Sequence, residues 1–255
     1  MIMLKKLILK KKYFFLIRII MKFKILTLFP EMFPGPLAHS ISGKALSKKL
    51  FEIEVINIRD FSDNKSNSVD EKPFGGGAGM IIKPDVMQNA LDYATKDNIK
   101  NKKIIFLSPG GQTVNTDIVK ELVTFDELVI ICGRYEGIDE RFLKFNAIEE
   151  YSIGDFILSG GEIPSIILID TCVRLIPEVL GNKNSLKFES FQNHLLEYPQ
   201  YTKPSNWKGL SVPDVLLSGN HKKISDWRLI KSIEKTKNVR PDLYKLYCEK
   251  NKGEK

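Results

Sequence analysis

The stretch Lys103–Gly133, KIIFLSPGGQTVNTDIVKELVTFDELVIICG, decides the class of fold. Its two apolar runs, Lys103–Leu107 and Leu128–Cys132, are short, rich in Ile, Leu and Val, and followed by glycine-containing turns, which is typical of buried strands. Between them, Asn115 or Thr116 can cap a helix that reaches about Phe125. A strand–helix–strand order at this spacing favours an α/β domain with a mostly parallel sheet. Because the strands do not alternate apolar and polar residues, both faces of the sheet should be buried.

The same order of elements extends in both directions along the chain. Lys22–Phe29 predicts another buried strand, Ser40–Leu50 a helix, and Phe51–Ile58 a half-exposed strand. A further helix is expected to start near Pro84, because proline is favoured at the first helical position. Glu162–Leu180 is predicted to form one long, largely apolar helix.

Charge is distributed unevenly over the 255 residues, whose formal net charge is +8. Residues 1–20 hold six basic residues and no acidic one, residues 21–180 hold 18 basic and 23 acidic residues, and residues 181–255 hold 15 basic and 8 acidic. A basic C-terminal part on a mildly acidic body indicates a polyanionic partner that is held by one end of the molecule. The alternative is that the lysines serve only solubility.

We interpret residues 1–20 as an N-terminal extension outside the fold. Arg18 interrupts its apolar run, which is too short to span a bilayer. A membrane-surface anchor is the alternative. Cys132, Cys172 and Cys248 show neither disulfide-framework nor zinc-site spacing, which favours a reducing, cytoplasmic location.

The C-terminal part starts with a polar segment, Gly181–Lys187, which predicts a linker. Beyond several prolines, a basic amphipathic helix is expected from about Asn220 to Lys237. Its apolar side should hold Ile224, Trp227, Leu229 and Ile230, and its solvent side Lys222, Lys223, Arg228, Lys231 and Lys235.

Glycine-rich loops are the main candidates for ligand binding. Gly75–Gly79 matches neither a P-loop nor a GxGxxG motif, and we interpret it as a tight loop that needs positive φ angles. Four more loops, Phe106–Gly111, Cys132–Gly137, Tyr151–Phe156 and Leu158–Gly161, are expected at the carboxyl ends of strands, where α/β sheets bind ligands. They predict an adenosine-sized ligand that is bound by backbone and apolar contacts. The alternative is that they are ordinary turns.

Six runs in this order and spacing resemble the bacterial tRNA (guanine-N1)-methyltransferase family, TrmD-type, of the SPOUT superfamily. The runs are LFPEMFPGPL, KPFGGGAGM, FLSPGGQ, CGRYEGIDER, YSIGDFILSGGEIP and VLLSGNH. The resemblance extends from about Met21 to Pro241, and the runs CGRYEGIDER and SIGDFILSGGE are too specific to arise by chance.

The resemblance implies an architecture that the strand pattern alone does not predict. Residues 21–180 would form a parallel-sheet SPOUT domain that binds S-adenosylmethionine and ends in a trefoil knot, a rare topology. Residues 181–195 would be a linker that orders when tRNA binds, and residues 196–255 a small, mainly helical, basic domain that binds tRNA. The protein would be a cytoplasmic homodimer with no membrane association.

The resemblance also implies the residues that hold S-adenosylmethionine, which lie in three loops of the knot. Phe156 stands where the family often has tyrosine, so the ring is kept and one hydroxyl is lost. The implied binding residues are Leu107, Ser108, Pro109, Gly133, Tyr135, Glu136, Gly137, Ile153, Gly154, Asp155, Phe156, Ile157, Leu158, Gly160 and Gly161.

The implied reaction is methylation of N1 of the guanine just 3′ of the tRNA anticodon. N1 must lose a proton, so the site needs a general base and a cation near O6. By resemblance Glu189 is the base, at a position where the family has aspartate, and Arg174 is the cation. Asp170 is the alternative carboxylate. The family is described as assisted by Mg²⁺, although no carboxylate cluster in the sequence predicts a metal site.

Two rival hypotheses remain at the level of sequence. The replacement of the family aspartate by Glu189 would fit a non-catalytic RNA-binding protein with a SPOUT fold. The second rival hypothesis is an enzyme that binds nucleotides through glycine-rich loops, although neither a Walker nor a Rossmann motif is present.

Overall fold

The computed structural model describes residues 20–63, 68–181 and 189–252. The expected extension therefore lies outside the described residues except for Ile20, as do residues 182–188 of the expected linker. The chain divides into two compact units, unit 1 up to Leu180 and unit 2 from Gly181.

Unit 1 contains a parallel sheet, as the sequence predicts, with the strand order β2-β1-β6-β5-β7 among the described residues. A short antiparallel pair, β3 and β4, precedes the second helix. The strands are β1 Met21–Thr27, β2 Phe51–Asn57, β3 Asp70–Glu71, β4 Ile81–Ile82, β5 Lys102–Thr113, β6 Glu127–Cys132 and β7 Glu149–Ser152. The helices are α1 Ser40–Ser47, α2 Pro84–Thr95, α3 Thr116–Leu122, α4 Glu140–Phe145 and α5 Glu162–Val173.

Helices cover both faces of this sheet, which confirms the prediction of two buried faces. On β6, Leu128 and Ile130 face a core shared with α1, α3 and α5, whereas Val129 and Ile131 face a core shared with α2 and α4. All four side chains are fully buried. The period of two in a strand thus sends alternate residues of one apolar run into two different cores.

Strand β5 differs from its prediction, because it does not end at Leu107. The strand continues to Thr113 through a bulge, so that Leu107 and Gln112 both pair with Tyr151 of β7. Gly111 makes this possible, since a Cβ there would lie 2.4 Å from the backbone of the neighbouring strand.

Helix α5 is also shorter than predicted. It ends at Val173 instead of continuing to Leu180, and Arg174 is its C-terminal cap. The next backbone bonds, from Leu175 N to Cys172 O and from Ile176 N to Val173 O, join residues three apart and so tighten the last turn. Pro177 then prevents regular continuation.

Unit 2 contains a hairpin of two short strands, each two residues long, which is followed by helices. Its elements are β8 Asn206–Trp207, β9 Leu210–Ser211, α6 Asp214–Leu217, α7 His221–Val239 and α8 Pro241–Lys252. Asn220 caps α7 by accepting a hydrogen bond from Lys223 N. The predicted division of its faces is partly wrong. Leu229 and Ile230 are about half exposed, whereas Ser232 and Thr236 are buried.

Cys132 and Cys172 are buried free thiols, and burial raises the pKa of Cys172 to about 12. Both therefore act as small apolar residues. Among the described residues, no helix is long and apolar enough to cross a membrane.

A buried lysine lies among the apolar residues of β1. The Lys24 Nζ donates to the Ala94 carbonyl at 2.6 Å and lies 2.9 Å from Asp97 and 3.1 Å from Glu127. Burial lowers the pKa of Lys24, but the hydrogen bonds to the two carboxylates raise it by a larger amount. The pKa of Lys24 therefore lies above the ordinary lysine value. Lys24 therefore stays charged and joins β1 to α2 and β6.

Replacing Lys24 with alanine should lower the free energy of unfolding by about 3–5 kcal/mol, because Glu127 would remain buried without its cation. Lys22→Ala is the matched control on the same strand, since the partly exposed Lys22–Glu54 pair should contribute less than about 1 kcal/mol. Urea unfolding of the two variants tests this. Equal losses would contradict a special role for the buried cation.

Candidate active site

A cavity of about 430 Å³ opens beside the bulge of β5 and the carboxyl ends of β6 and β7. These strands are neighbours in the sheet, so the bulge after Leu107 and the loops that follow Cys132 and Ser152 lie side by side. The location agrees with the general rule for ligand sites in α/β sheets.

The predicted binding residues converge on this cavity, with one exception. Of the fifteen residues that the sequence analysis assigned to S-adenosylmethionine, only Asp155 is absent from the described lining. Phe156 lines the cavity with half of its surface exposed. Arg174 and Glu189, the predicted catalytic residues, do not line it among the described residues. Arg174 caps α5, and Glu189 O accepts a hydrogen bond from Gln192 N.

The glycine-rich segment Gly75–Gly79 matches the prediction of a tight loop. Gly75, Gly76, Gly77 and Gly79 all have positive φ. A Cβ at Gly79 would lie 2.5 Å from the side chain of Glu136, which lines the cavity. Backbone hydrogen bonds from Glu136 N to Met80 O and from Ile82 N to Gly137 O hold the two segments together. The loop therefore supports one wall of the cavity.

Arg134 and Glu162 form a buried ion pair beside the cavity that the sequence did not predict. The Arg134 Nε lies 2.9 Å from a Glu162 carboxylate oxygen, and Glu162 is only 1% exposed. The Nε–H does not point at that oxygen, so the contact is ionic and not a linear hydrogen bond. The other Glu162 oxygen accepts a 2.7 Å hydrogen bond from Thr27 Oγ1. The signal in the sequence was an acidic residue at the first position of an apolar helix.

The remaining donors of Arg134 fix the loop in front of α5. Its Nη1 donates to the Ser159 carbonyl at 3.0 Å, and its guanidinium lies 4.3 Å from the ring centre of Phe29. Gly160 leaves room for it, because a Cβ there would lie 2.3 Å from the Arg134 Nε. Arg134 is thus occupied by protein groups and is not a free phosphate ligand.

The charge around the cavity is therefore mainly acidic. Glu136, Glu140 and Glu150 line it, while Glu162 balances Arg134. Such a site disfavours a nucleotide triphosphate and suits a ligand with a cationic centre and hydroxyl groups. S-Adenosylmethionine has both, and the backbone groups of the glycine-rich loops can bind its adenine.

Comparison with known proteins identifies the family. A family model described as "tRNA (Guanine-1)-methyltransferase TrmD" matches residues 21–246. This chain belongs to the TrmD family. It is therefore a methyltransferase that acts on guanine in tRNA, and the family implies S-adenosylmethionine as the methyl donor. The family-level expectation from the sequence is confirmed, and the non-catalytic alternative is not favoured.

Curated relatives support this assignment along most of the chain. The chain is 53% identical to the tRNA (guanine-N(1)-)-methyltransferase of Ehrlichia canis (strain Jake) over 220 residues, which cover 86% of this chain and 93% of the relative. It is 51% identical to that of Wolbachia pipientis wMel over 221 residues, covering 86% and 93%. The enzyme of Clostridioides difficile (strain 630) is 48% identical over 231 residues, covering 90% of this chain and all of the relative.

Replacing Glu162 with glutamine should weaken binding of S-adenosylmethionine about tenfold, or by about 1.4 kcal/mol. The amide can still accept from Thr27 Oγ1, but Arg134 loses its buried counter-charge and the Ser159–Gly161 segment loses its anchor. Calorimetric titration measures the affinity, and circular dichroism checks the fold. Glu54→Gln, which removes a surface pair, is the control. Unchanged affinity in Glu162→Gln would show that the pair does not shape the cavity.

Proposed function

We propose that this enzyme transfers the methyl group of S-adenosylmethionine to N1 of the guanine just 3′ of the tRNA anticodon. The observation that supports this most is the mainly acidic, glycine-lined cavity beside the bulge of β5 and the carboxyl ends of β6 and β7, in a chain of the TrmD family. Its volume falls within the range of small-molecule sites.

In this proposal the loops of unit 1 bind and orient the methyl donor. Backbone groups around Leu107, Gly133 and Ile153 bind the adenosine part, and the carboxylate of Glu136 faces the cationic sulfonium. Transfer then depends mainly on holding the methyl group in line with N1, because a correctly oriented pair of reactants avoids much of the entropic cost of the reaction. The expected C-terminal trefoil knot of residues 21–180 would form these loops.

Glu189 is proposed as the general base, and Arg174 as the cation at O6. Glu189 removes the N1 proton, the N1 lone pair attacks the methyl carbon, and the bond from that carbon to sulfur breaks. Arg174 stabilises the negative charge that develops on O6. A glutamate in place of the family aspartate keeps the carboxylate and lengthens its reach by one methylene.

The basic unit 2 is proposed to bind the tRNA backbone. Residues 181–255 have an excess of seven positive charges, which would release counter-ions from phosphates on binding. We propose that the linker 181–195 brings Glu189 to the guanine when tRNA binds. Among the described residues, no three His, Cys, Asp or Glu side chains lie together as metal ligands. An assisting Mg²⁺ would therefore be held largely by water and substrate phosphates.

Replacing Glu189 with glutamine should lower kcat by about 10²–10⁴-fold, because the base can no longer take the N1 proton. Binding of S-adenosylmethionine should not change, since Glu189 is outside the cavity lining. The assay measures transfer of labelled methyl groups to a tRNA transcript. Glu234→Gln, at an exposed glutamate of the same unit, is the control. Full activity of Glu189→Gln together with loss in Asp170→Asn would move the base to Asp170.

We also propose that the enzyme is a homodimer that pairs through one face of unit 1. Ile163 and Ile167 lie one turn apart on α5 and are 45% and 47% exposed, and Ile157 in the preceding loop is 80% exposed. Apolar side chains that are exposed together on a helix and its adjoining loop are typical of a protein interface. The loop also lines the cavity, so a partner subunit would lie close to the methyl donor.

The double substitution Ile163→Asp and Ile167→Asp should convert the dimer into folded monomers, because it places charges in an apolar interface. Sedimentation measures the mass, and we expect methyl transfer to be lost with the dimer. Phe145→Asp, at an 82% exposed residue of α4, serves as the control and should leave the mass unchanged. A dimer of unchanged stability in the double variant would exclude this face.

A further inference from the structure

Unit 2 contains a cavity of its own, with a volume of about 340 Å³. It lies between the segment Tyr198–Ser205 and the helices α6 and α7, and three aromatic residues, Tyr198, Tyr201 and Trp227, contribute to its wall. The reaction described above does not use this cavity.

The aromatic rings of this cavity are accompanied by cations. The ring centres of Tyr201 and Trp227 are 6.2 Å apart at an angle of 55°, and the Arg228 guanidinium lies 4.8 Å from the ring centre of Tyr198. Lys203 is a further lining residue. Aromatic rings and guanidinium planes are the surfaces on which proteins stack unpaired bases, and nearby cations bind the adjoining phosphates.

The sequence of α7 explains why these groups lie together. One face of the helix carries Ile224, Trp227 and Arg228, because Trp227 and Arg228 follow Ile224 by three and four residues. Two turns further, Lys235 Nζ donates to the Glu197 carbonyl at 3.1 Å. The Trp227–Arg228 face is therefore directed at the chain segment that supplies the other two rings.

The segment with Tyr198 and Tyr201 is anchored to α7 by a hydrogen bond at its start. Leu196 N donates to Thr236 Oγ1 at 2.8 Å, and Thr236 is fully buried and donates in turn to Ser232 O. The rings are thus ordered before any ligand arrives, so that little entropy is lost on binding. Tyr201 is still 48% exposed and accessible.

We propose that this cavity binds an unpaired base of the tRNA substrate, one other than the guanine that is methylated. The base stacks on Tyr201 and Trp227, while Arg228 and Lys203 bind the phosphates beside it. The proposal rests on the proposed function, because it takes tRNA as the partner. The net positive charge of the unit favours a polyanion over an apolar peptide or a second basic unit.

Tryptophan fluorescence gives a direct test, because the chain has only two tryptophans. Trp207 is 58% exposed and is not part of the cavity wall, so Trp207→Phe leaves Trp227 as the sole emitter. The probes are an RNA stem–loop with the sequence of the anticodon arm and a blunt RNA duplex with the same stem. The stem–loop should quench Trp227 and protect it from acrylamide, whereas the duplex should do neither.

A substitution tests how much stacking on Tyr201 contributes to the affinity for RNA. Tyr201→Leu keeps apolar volume but removes the stacking surface, so it should weaken stem–loop binding about tenfold and duplex binding hardly at all. Tyr93→Leu, at a 43% exposed tyrosine of unit 1, is the matched control and should change neither affinity. Equal weakening of both RNAs by Tyr201→Leu, or no weakening of either, would overturn the proposal.

The remaining outcomes separate this proposal from the proposed function. Methyl transfer by Trp207→Phe without quenching by the bound stem–loop would disprove base binding here and leave the function intact. Quenching by the stem–loop without methyl transfer would support the cavity and count against the function. A change of Trp227 emission on dilution without RNA would identify a second copy as the occupant and overturn the proposal.

Discussion

The ion pair between Arg134 and Glu162 is the interaction on which the geometry of the cavity depends. It joins three places that are distant in sequence: the end of β6, the start of α5 and, through Thr27, the end of β1. A buried pair of this kind contributes little net stability, because both charges lose their hydration. Its value lies in geometry, since either charge alone would be costly to bury. The loop before α5 is thereby kept in one position.

The sheet supplies the second constraint on the site. Parallel order places the bulge of β5 and the carboxyl ends of β6 and β7 at one edge of the sheet, and beyond the bulge β5 continues along β7. Glycine is required where the backbones approach closely. At Gly161, for example, a Cβ would lie 2.6 Å from Cys132 Cα. The glycines therefore bring backbone groups close to the cavity, where they can contribute to recognition of a nucleoside.

The sequence predicted the parts of this structure that depend on local pattern. The apolar runs of β1, β5 and β6, the cap at Asn115 and the proline at the start of α2 all follow from local chemistry. The bulge in β5 and the early end of α5 depend on contacts between distant segments, which no local pattern contains. The pairing of Arg134 with Glu162 likewise depends on distant segments, although both residues stand in motifs that carry the resemblance. The binding residues were obtained from the resemblance, and composition or periodicity would not have yielded them.

The central claim is that the enzyme methylates N1 of one guanine in tRNA, and mapping the modified atom tests it most directly. A tRNA transcript with guanine 3′ of the anticodon is incubated with the enzyme and S-adenosylmethionine, digested, and analysed by mass spectrometry beside a transcript with adenine at that position. The account predicts one N1-methylguanine at that position in the first transcript and none in the second. Methylation of another atom or nucleotide, or no transfer although S-adenosylmethionine binds, would contradict it.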